Sequence, residues 1–243
     1  MRKKRDIKIA RTRSVQGLLK IYQSLDGRSR HVPGIGLVLG EAGIGKTTAV
    51  TWLRNQCNCL IIECNPLWTP HSMLGDIAAE LGESTGGGST ALLNRLVAKL
   101  RLTGRGLVLD ECDDRLFASG RKYHQMIDCL RALHDRTGVP LIFVGYLQAR
   151  RTISLFPQLQ GRVTQEIEFE RLDLEDTQKF IDCLSDCQIE SDLLEEMFIS
   201  TQGRPRQTVT AIENINALAR EQQWESVSAE KWGAQPFFPG DRR

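Results

Sequence analysis

A glycine-rich segment near the beginning of the chain has the residue types and spacing of a phosphate-binding loop. It matches the pattern G-x-x-x-x-G-K-[ST] at every fixed position, directly after an apolar run and before a run with helical periodicity. Glycines let successive backbone N–H groups converge on phosphate oxygens, and the following helix directs the positive end of its dipole at them. The alternative, an ordinary glycine-rich turn, is disfavoured by this strand-loop-helix context. We predict a nucleoside triphosphate site formed by Gly40, Glu41, Ala42, Gly43, Ile44, Gly45, Lys46, Thr47 and Thr48.

Two adjacent carboxylates follow a second apolar run, Leu107-Val108-Leu109-Asp110-Glu111. In a triphosphate site, Lys46 reaches the β- and γ-phosphates, and Thr47 and Asp110 serve Mg²⁺. Glu111 can then orient and polarise a water molecule against the γ-phosphate. A strand that simply ends in a polar turn is the alternative. The Asp-Glu pair predicts hydrolysis of the nucleotide rather than binding alone, and it makes a small-molecule kinase the least expected activity.

The elements that must position these residues alternate between short apolar runs and longer helical ones, the pattern of βαβ units around a parallel sheet. We predict strands at residues 36–39, 60–64, 106–110, 141–144 and 166–169, and helices at 15–25, 46–57, 72–81, 91–102, 123–137 and 147–155. Three further helices at 175–183, 191–200 and 206–221 predict a small helical unit. The fold class is therefore α/β, a P-loop core with a five-stranded parallel sheet flanked by helices, plus a C-terminal α-helical lid.

The predicted organisation has four parts and two long loops. A basic arm with its helix covers residues 1–33, the nucleotide-binding core 34–170, the helical lid 171–232 and a tail 233–243. Glu83–Thr90 is predicted to be a loop because three consecutive glycines cost too much backbone entropy in regular structure. Asp113–Arg121 is predicted to be a second loop.

Composition and charge narrow the class of protein. Apolar residues make up 41% and charged residues 26% of the 243 residues, which is typical of a soluble globular protein. No apolar run is long enough to span a membrane, and no apolar segment follows the basic start, so we expect neither a membrane span nor a secretory signal. Seven cysteines without metal-ligand spacing predict reduced thiols, no metal–thiolate site and a cytoplasmic location.

The charge of the chain is unevenly distributed. Residues 1–30 carry ten Lys and Arg against two Asp, a net +8, and the remainder carries 22 basic and 28 acidic residues, a net −6. A basic start on an acidic body predicts a polyanionic partner near the N-terminus. A solvated, disordered start is an equally acceptable explanation of the charge run.

With these motifs the chain resembles the AAA+ ATPases, most closely the transposition regulators of the phage Mu B, TnsC and TniB type. The similarity covers roughly residues 14–220 and is carried by the segments at 40–48, 107–113, 141–145, 161–163 and 203–206. It implies Walker A roles for Lys46 and Thr47 and Walker B roles for Asp110 and Glu111, with Glu111 as the catalytic glutamate.

The same resemblance implies arginine roles and leaves one position unusual. Arg162 lies where this fold often places the arginine finger that reaches a neighbouring subunit's γ-phosphate, with Arg150 and Arg151 as rivals. Arg206 matches the sensor-2 position. Tyr146 stands where the family usually has a small polar sensor, so hydrolysis is expected to be slow or partner-stimulated.

Function follows from the resemblance as an expectation. It implies a ring or helical filament on double-stranded DNA that selects target DNA for a transposase, and it leaves open whether a targeting adaptor also takes part. We predict non-specific duplex contacts by Ser84, Thr85, Arg95, Lys99, Arg121 and Lys122. The alternatives are a replication initiator or loader ATPase, for which few residues after 221 remain to form a winged helix, and a nucleotide-switched signalling or defence ATPase without DNA.

Overall fold

The computed structural model describes residues 9–29, 31–118 and 120–241. Residues 1–8 and Arg30 of the predicted basic arm lie outside these residues, as does Ser119 of the second predicted loop. The contacts divide the described chain into two compact units. Residues 17–41 and 46–168 form the core unit, and residues 9–16, 42–45 and 169–241 form the lid unit.

The core unit is built on a five-stranded sheet with the strand order β2-β3-β4-β1-β5. The strands are β1 (Ile35–Gly40), β2 (Cys59–Glu63), β3 (Gly106–Asp110), β4 (Leu141–Gly145) and β5 (Val163–Phe169). The pairs β1/β4, β2/β3 and β3/β4 are parallel. Strands β1, β3 and β4 are buried along their whole length, which is why the sequence shows them as unbroken apolar runs. The α/β fold with a parallel five-stranded sheet is confirmed.

The helices of the first two thirds of the chain connect and cover these strands. They are α1 (Arg13–Asp26), α2 (Lys46–Gln56), α3 (Pro70–Glu80), α4 (Ser89–Thr103), α5 (Asp113–Leu116), α6 (Arg121–Thr137), α7 (Ala149–Ser154) and α8 (Pro157–Gln160). Helices α3, α4 and α6 pack against one another and bury leucines, isoleucines and methionines against the sheet. Because the strands are parallel, β1, β2, β3 and β4 end at one common edge of the sheet, which we call the carboxyl edge.

Two predicted loops are shorter than expected. Ser89 and Thr90 form the first turn of α4, which begins directly after Gly88, so the loop predicted over Glu83–Thr90 ends at Gly88. Ser and Thr are well tolerated where a helix begins. The three preceding glycines extended the predicted loop past the beginning of α4. The prediction of a loop over Asp113–Arg121 was also wrong at both ends, since α5 begins at Asp113 and α6 begins at Arg121.

The lid unit is mainly helical. Its elements are α9 (Leu174–Leu184), β6 (Gln188–Ile189), α10 (Ser191–Thr201), α11 (Pro205–Gln222), β7 (Ser226–Val227) and α12 (Ala229–Trp232). The helices enclose an apolar core of their own that includes Met197 and Ile212. The two-residue strands β6 and β7 were not predicted, because two residues carry no periodicity that a sequence can display.

The end of the described chain packs onto the lid. Phe237 is fully buried, and its ring stacks on that of Trp232 with the centroids 5.3 Å apart. Asn214 Nδ2 donates a hydrogen bond to the Phe237 carbonyl oxygen at 2.8 Å. The segment that the sequence suggested as a tail is therefore packed at these aromatic residues.

None of the helices in the described part of the chain combines the length and apolar character needed to cross a bilayer.

Candidate functional site

The glycine-rich loop connects β1 to α2 at the carboxyl edge. Gly43 and Gly45 have φ values of 76° and 93°, a left-handed conformation that is strained for residues with a Cβ. Lys46 is the first residue of α2. Its Nζ atom donates hydrogen bonds to the Gly40 carbonyl oxygen at 2.7 Å and the Glu41 carbonyl oxygen at 2.8 Å. The ammonium group therefore lies inside the curve of the loop.

The environment of Lys46 combines burial with negative charge. Burial lowers the pKa of the Lys46 amine, and the carboxylates of Asp113 and Asp110 act in the opposite direction. Nζ also lies 4.9 Å from the centroid of the Tyr146 ring. A half-buried cation near the carboxylates of Asp110, at the end of β3, and Asp113, at the beginning of α5, is suited to neutralise the charge of a polyphosphate.

The two predicted Walker B carboxylates have different surroundings. Asp110, the last residue of β3, is 4% exposed, and its Oδ1 atom accepts a hydrogen bond from the Glu111 amide at 2.8 Å. Glu111 has a φ of 57°, which is uncommon for a residue other than glycine. Its carboxylate forms an ion pair with Arg115. Backbone strain and an ion pair therefore act together on the residue that we predict to be catalytic.

Arg115 links Glu111 to the end of β2, a connection that the sequence analysis missed. Its Nη1 atom donates to the Cys64 carbonyl oxygen at 2.9 Å and to Glu63 Oε1 at 3.1 Å. The i,i+4 spacing of Glu111 and Arg115 was visible in the sequence, but it carries weight only if the two residues flank a helical turn. The predicted loop over 113–121 hid that turn.

Asp113 is a further acidic residue at the site that the sequence analysis did not assign. Its Oδ1 atom accepts a hydrogen bond from the Tyr146 amide at 2.6 Å. A Cβ atom added to Gly145 would lie 2.8 Å from the same oxygen, so β4 has room here only for glycine. Asp113 therefore holds the chain after β4, and with it the phenol that stands at the predicted sensor position, beside Lys46.

The residues predicted to serve a magnesium ion supply oxygen donors. Thr47 is exposed in the first turn of α2, and Asp110 ends β3. Hydroxyl and carboxylate oxygens are the hard ligands that Mg²⁺ prefers, and a small number of protein ligands is usual because the ion retains water and binds phosphate oxygens. The donor set thus fits Mg²⁺ bound together with a nucleotide.

The three candidate arginine fingers differ in how they are bound. The Arg162 guanidinium makes a bidentate contact with Asp135, at 2.8 Å from Nε to Oδ1 and 3.0 Å from Nη2 to Oδ2. Arg150 pairs with Glu166 and Glu168. The Arg151 side chain, on α7, is exposed and has no hydrogen-bond or ion-pair partner among the described residues.

Arg206 belongs to the lid unit, together with residues 42–45 of the loop. A Cβ atom added to Gly43 would lie 3.4 Å from Arg206 Cζ. The side chain of the predicted sensor-2 residue therefore lies next to Gly43, within the same unit.

The predicted DNA contacts fall into two groups. Arg95 donates to the carbonyl oxygens of Ser84, at 3.0 Å, and Gly86, and Lys99 pairs with Glu83 at 2.8 Å. These cations brace the glycine-rich segment between α3 and α4, on which Thr85 is exposed.

The second group is at the beginning of α6. Arg121 is exposed and has no partner among the residues that the structure describes. Lys122 Nζ lies 3.4 Å from the Pro66 carbonyl oxygen and 4.8 Å from the centroid of the Tyr123 ring.

Comparison with known families agrees with this architecture. A family model described as an AAA domain matches residues 29–153, just over half of the chain. The chain therefore belongs to the AAA domain family, and its sheet and loop have the arrangement of a P-loop AAA+ core. No curated protein sequence matches the chain.

Similar solved structures extend over most of the chain. The ORC2 protein of Aeropyrum pernix, determined as ADPNP–ADP complexes, has a TM-score of 0.68 at 17% identity over 89% of this chain and 65% of its own. The ORC1 protein of the same organism in complex with DNA has a TM-score of 0.58 at 17% identity, over 90% of this chain and 62% of its own. Cdc6p from Pyrobaculum aerophilum has a TM-score of 0.56 at 16% identity, over 89% and 64%. The chain spans less than two thirds of each of these proteins, and at such identities the likeness shows the fold.

Proposed function

We propose that the chain binds ATP with Mg²⁺ at the carboxyl edge of its core and hydrolyses it. The observation that carries this proposal is the convergence of the glycine-rich loop and the β3 carboxylates. The Lys46 ammonium lies within the curve of the loop and within electrostatic reach of Asp110 and Asp113. Lys46 would bind the β- and γ-phosphates, and Thr47 and Asp110 would serve the metal ion.

In this proposal, Glu111 orients and polarises the attacking water, and Lys46 stabilises the charge that develops on the γ-phosphate. The attacking water must lie in line with the terminal phosphate. To contact that water, the Glu111 carboxylate has to break its ion pair with Arg115 or keep it while also accepting a hydrogen bond from the water. Arg206 adds positive charge beside the loop. We expect slow turnover from the isolated chain.

Phosphate release tests the proposed hydrolysis. The wild-type chain should release phosphate from ATP only with Mg²⁺, and Glu111→Gln should lower kcat by about 10²- to 10⁴-fold. Because the amide keeps the size of the side chain, Glu111→Gln should still bind nucleotide. A Glu111→Gln chain that hydrolyses ATP at the wild-type rate would exclude Glu111 as the catalytic base.

An arginine from a neighbouring subunit would complete the site. Arg162 was the first candidate from the sequence, but to act in trans it would have to give up a bidentate contact with Asp135. We therefore favour Arg151, whose guanidinium is exposed and unpaired within the described chain. Mixing Arg151→Ala with Glu111→Gln should restore activity, because each variant supplies the group that the other lacks. If Arg162→Ala complements in this way and Arg151→Ala does not, Arg162 is the finger.

The nucleotide state is proposed to control assembly on duplex DNA, as in the transposition regulators that the sequence resembles. Such a chain would select target DNA for a transposase. The second candidate is a replication initiator or loader ATPase, which the likeness to the ORC1 and Cdc6p structures favours. The two can be separated with plain duplex, ATP and no other protein. A regular filament with no sequence preference supports the first, and a discrete assembly at specific sequences supports the second.

DNA contact at the beginning of α6 has a quantitative test. If Arg121 and Lys122 each neutralise one phosphate, replacing both with Ala should lower the slope of log Kobs against log[salt] by about 1.8. The charge-matched control replaces Arg101 and Arg105, which lie just before β3 at the opposite edge of the sheet. An equal change of slope in both double variants would show that general charge, and not this surface, determines the binding.

A further inference from the structure

Two cysteines that are far apart in the sequence meet beside the turn that carries Glu111. Cys64 follows β2 and Cys112 follows Glu111, and their Sγ atoms are 3.7 Å apart. Both residues are at most 1% exposed. The pair lies outside the contacts that the proposed hydrolysis uses, and neither residue is near enough to other His, Cys, Asp or Glu side chains of the described chain to make a metal cluster.

The backbone around the pair is compatible with a covalent bond between the two sulfurs. Glu63 is opposite Asp110 in the parallel register, and the Cys64 amide donates to the Asp110 carbonyl oxygen at 2.9 Å. This hydrogen bond places the beginning of the segment after β2 beside the end of β3, and the Sγ–Sγ distance of 3.7 Å shows that the two side chains face each other there. The sulfurs must approach by about 1.6 Å to reach bonding distance, since a disulfide bond is about 2.05 Å long.

Each cysteine is also one contact away from Glu111. The Cys112 thiol donates to the Leu109 carbonyl oxygen at 3.1 Å, and its amide donates to the Val144 carbonyl oxygen at 2.9 Å, so Cys112 fixes the turn that carries Glu111. The Cys64 carbonyl oxygen accepts from Arg115, the ion-pair partner of Glu111. A bond between the sulfurs would therefore displace both the turn that carries Glu111 and the Cys64 carbonyl oxygen that binds Arg115.

We propose that Cys64 and Cys112 are an oxidisable pair whose disulfide stops hydrolysis while leaving nucleotide binding intact. The effect on hydrolysis rests on the proposed function, whereas formation of the disulfide does not. Binding persists because the glycine-rich loop and Lys46 are on β1 and α2, which contribute neither sulfur.

Hydrogen peroxide is the oxidant class that fits a buried pair, because it is small enough to reach sulfurs that larger disulfides cannot contact. One thiol sulfur attacks the peroxide O–O bond, which breaks to give a sulfenic acid and one water. The second sulfur then displaces the sulfenic oxygen, which leaves as a second water with the remaining thiol proton. Two thiols lose two electrons in total, and one peroxide accepts them.

The test treats the full chain with hydrogen peroxide and locates the bond by mass spectrometry of tryptic peptides. Cleavage after Arg54, Arg95, Arg105 and Arg115 separates the two cysteines. The disulfide therefore joins the peptide Asn55–Arg95 to Gly106–Arg115, and fragmentation distinguishes Cys64 from the Cys57 and Cys59 in the same peptide. In parallel, phosphate release and the binding of a fluorescent ATP analogue are measured before oxidation, after it, and after reduction with dithiothreitol.

We expect the Cys64–Cys112 disulfide to form, phosphate release to fall at least tenfold in the oxidised chain, and reduction to restore it. Binding of the analogue should change less than twofold. Cys64→Ala should hydrolyse ATP at the same rate before and after peroxide treatment, and so should Cys112→Ala if it folds. Cys129→Ala, the control on α6, should still be inactivated.

Failure of this proposal is distinct from failure of the proposed ATPase. If no Cys64–Cys112 disulfide forms in folded protein, or if it forms and hydrolysis continues, the proposal is overturned. If the reduced chain releases no phosphate, the ATPase assignment fails. The tryptic peptides alone still show whether the Cys64–Cys112 disulfide forms.

Discussion

Replacing Arg115 should accelerate the proposed hydrolysis of ATP. Arg115 pairs with the Glu111 carboxylate and is itself bound to Glu63 and the Cys64 carbonyl oxygen, so it holds Glu111 at the end of β2. A carboxylate that must turn towards a water has to break this ion pair first. The cost of breaking this pair opposes catalysis by Glu111.

The size of the effect follows from the exposure of the pair. The side chains of Arg115 and Glu111 are 34% and 45% exposed, so solvent screens their attraction. Exposed ion pairs of this kind contribute about 0.2 to 1 kcal/mol. If that energy is removed from the barrier, kcat rises by about 1.4- to 5-fold. KM for ATP should not change, because Arg115 does not contact the glycine-rich loop.

The assay is steady-state phosphate release at saturating ATP and Mg²⁺ from Arg115→Met, which keeps the aliphatic part of the side chain. Arg131→Met is the control, since Arg131 pairs with Asp128 and Asp135 on α6 and does not contact Glu111. A tenfold or larger fall in kcat for Arg115→Met would refute the reasoning, because it would mean that Arg115 orients Glu111 for catalysis.

Two further predictions concern stability. His134 is buried, its Nε2 atom accepts from the Gly34 amide at 3.1 Å and Nδ1 bonds the Val139 carbonyl oxygen at 2.8 Å, so the folded state needs the neutral ring. Burial lowers its pKa, which means that the unfolded state binds the proton first. Urea denaturation should show stability falling as pH drops below about 6.5, by at most about 1.4 kcal/mol per pH unit, and His134→Asn should remove this component. A pH dependence that is unchanged in His134→Asn would contradict this. Gly203 has a φ of 66°, and a Cβ atom there would overlap the Leu172 carbonyl oxygen. Gly82 has a similar φ of 69°, but a Cβ atom there would meet open space, so Gly203→Ala should lower the melting temperature more than Gly82→Ala. Equal shifts in the two variants would show that φ alone determines the cost.

The sequence predicted those parts of the fold that depend on local patterns. Strands β1, β3 and β4 were located to within one residue at each end, because buried parallel strands are apolar at every position. The beginning of α2 was correct, since the phosphate-loop motif itself ends at a helix N-terminus. These features also identified the family, which the match to an AAA domain over residues 29–153 supports.

Contacts between residues distant in the sequence could not be predicted in the same way. The bidentate contact of Arg162 with Asp135 and the hydrogen bond from the Tyr146 amide to Asp113 depend on how strands are ordered in the sheet. The order β2-β3-β4-β1-β5 is not written in any local pattern. The meeting of Cys64 and Cys112 depends on the same order, because β2 and β3 must be neighbours.

Titration calorimetry of ATP against the purified chain tests most directly whether a triphosphate binds in the loop. With Mg²⁺, the wild-type chain should show saturable binding of one ATP per chain. Lys46→Ala should lose most of the affinity while keeping its circular dichroism spectrum, because the Lys46 side chain hydrogen-bonds carbonyl oxygens of the loop and lies over the exposed Tyr146 ring rather than packing in the apolar core. If the wild-type chain gives no binding heat at high concentration in the presence of duplex DNA, or if Lys46→Ala binds as tightly as the wild type, the proposed site is contradicted.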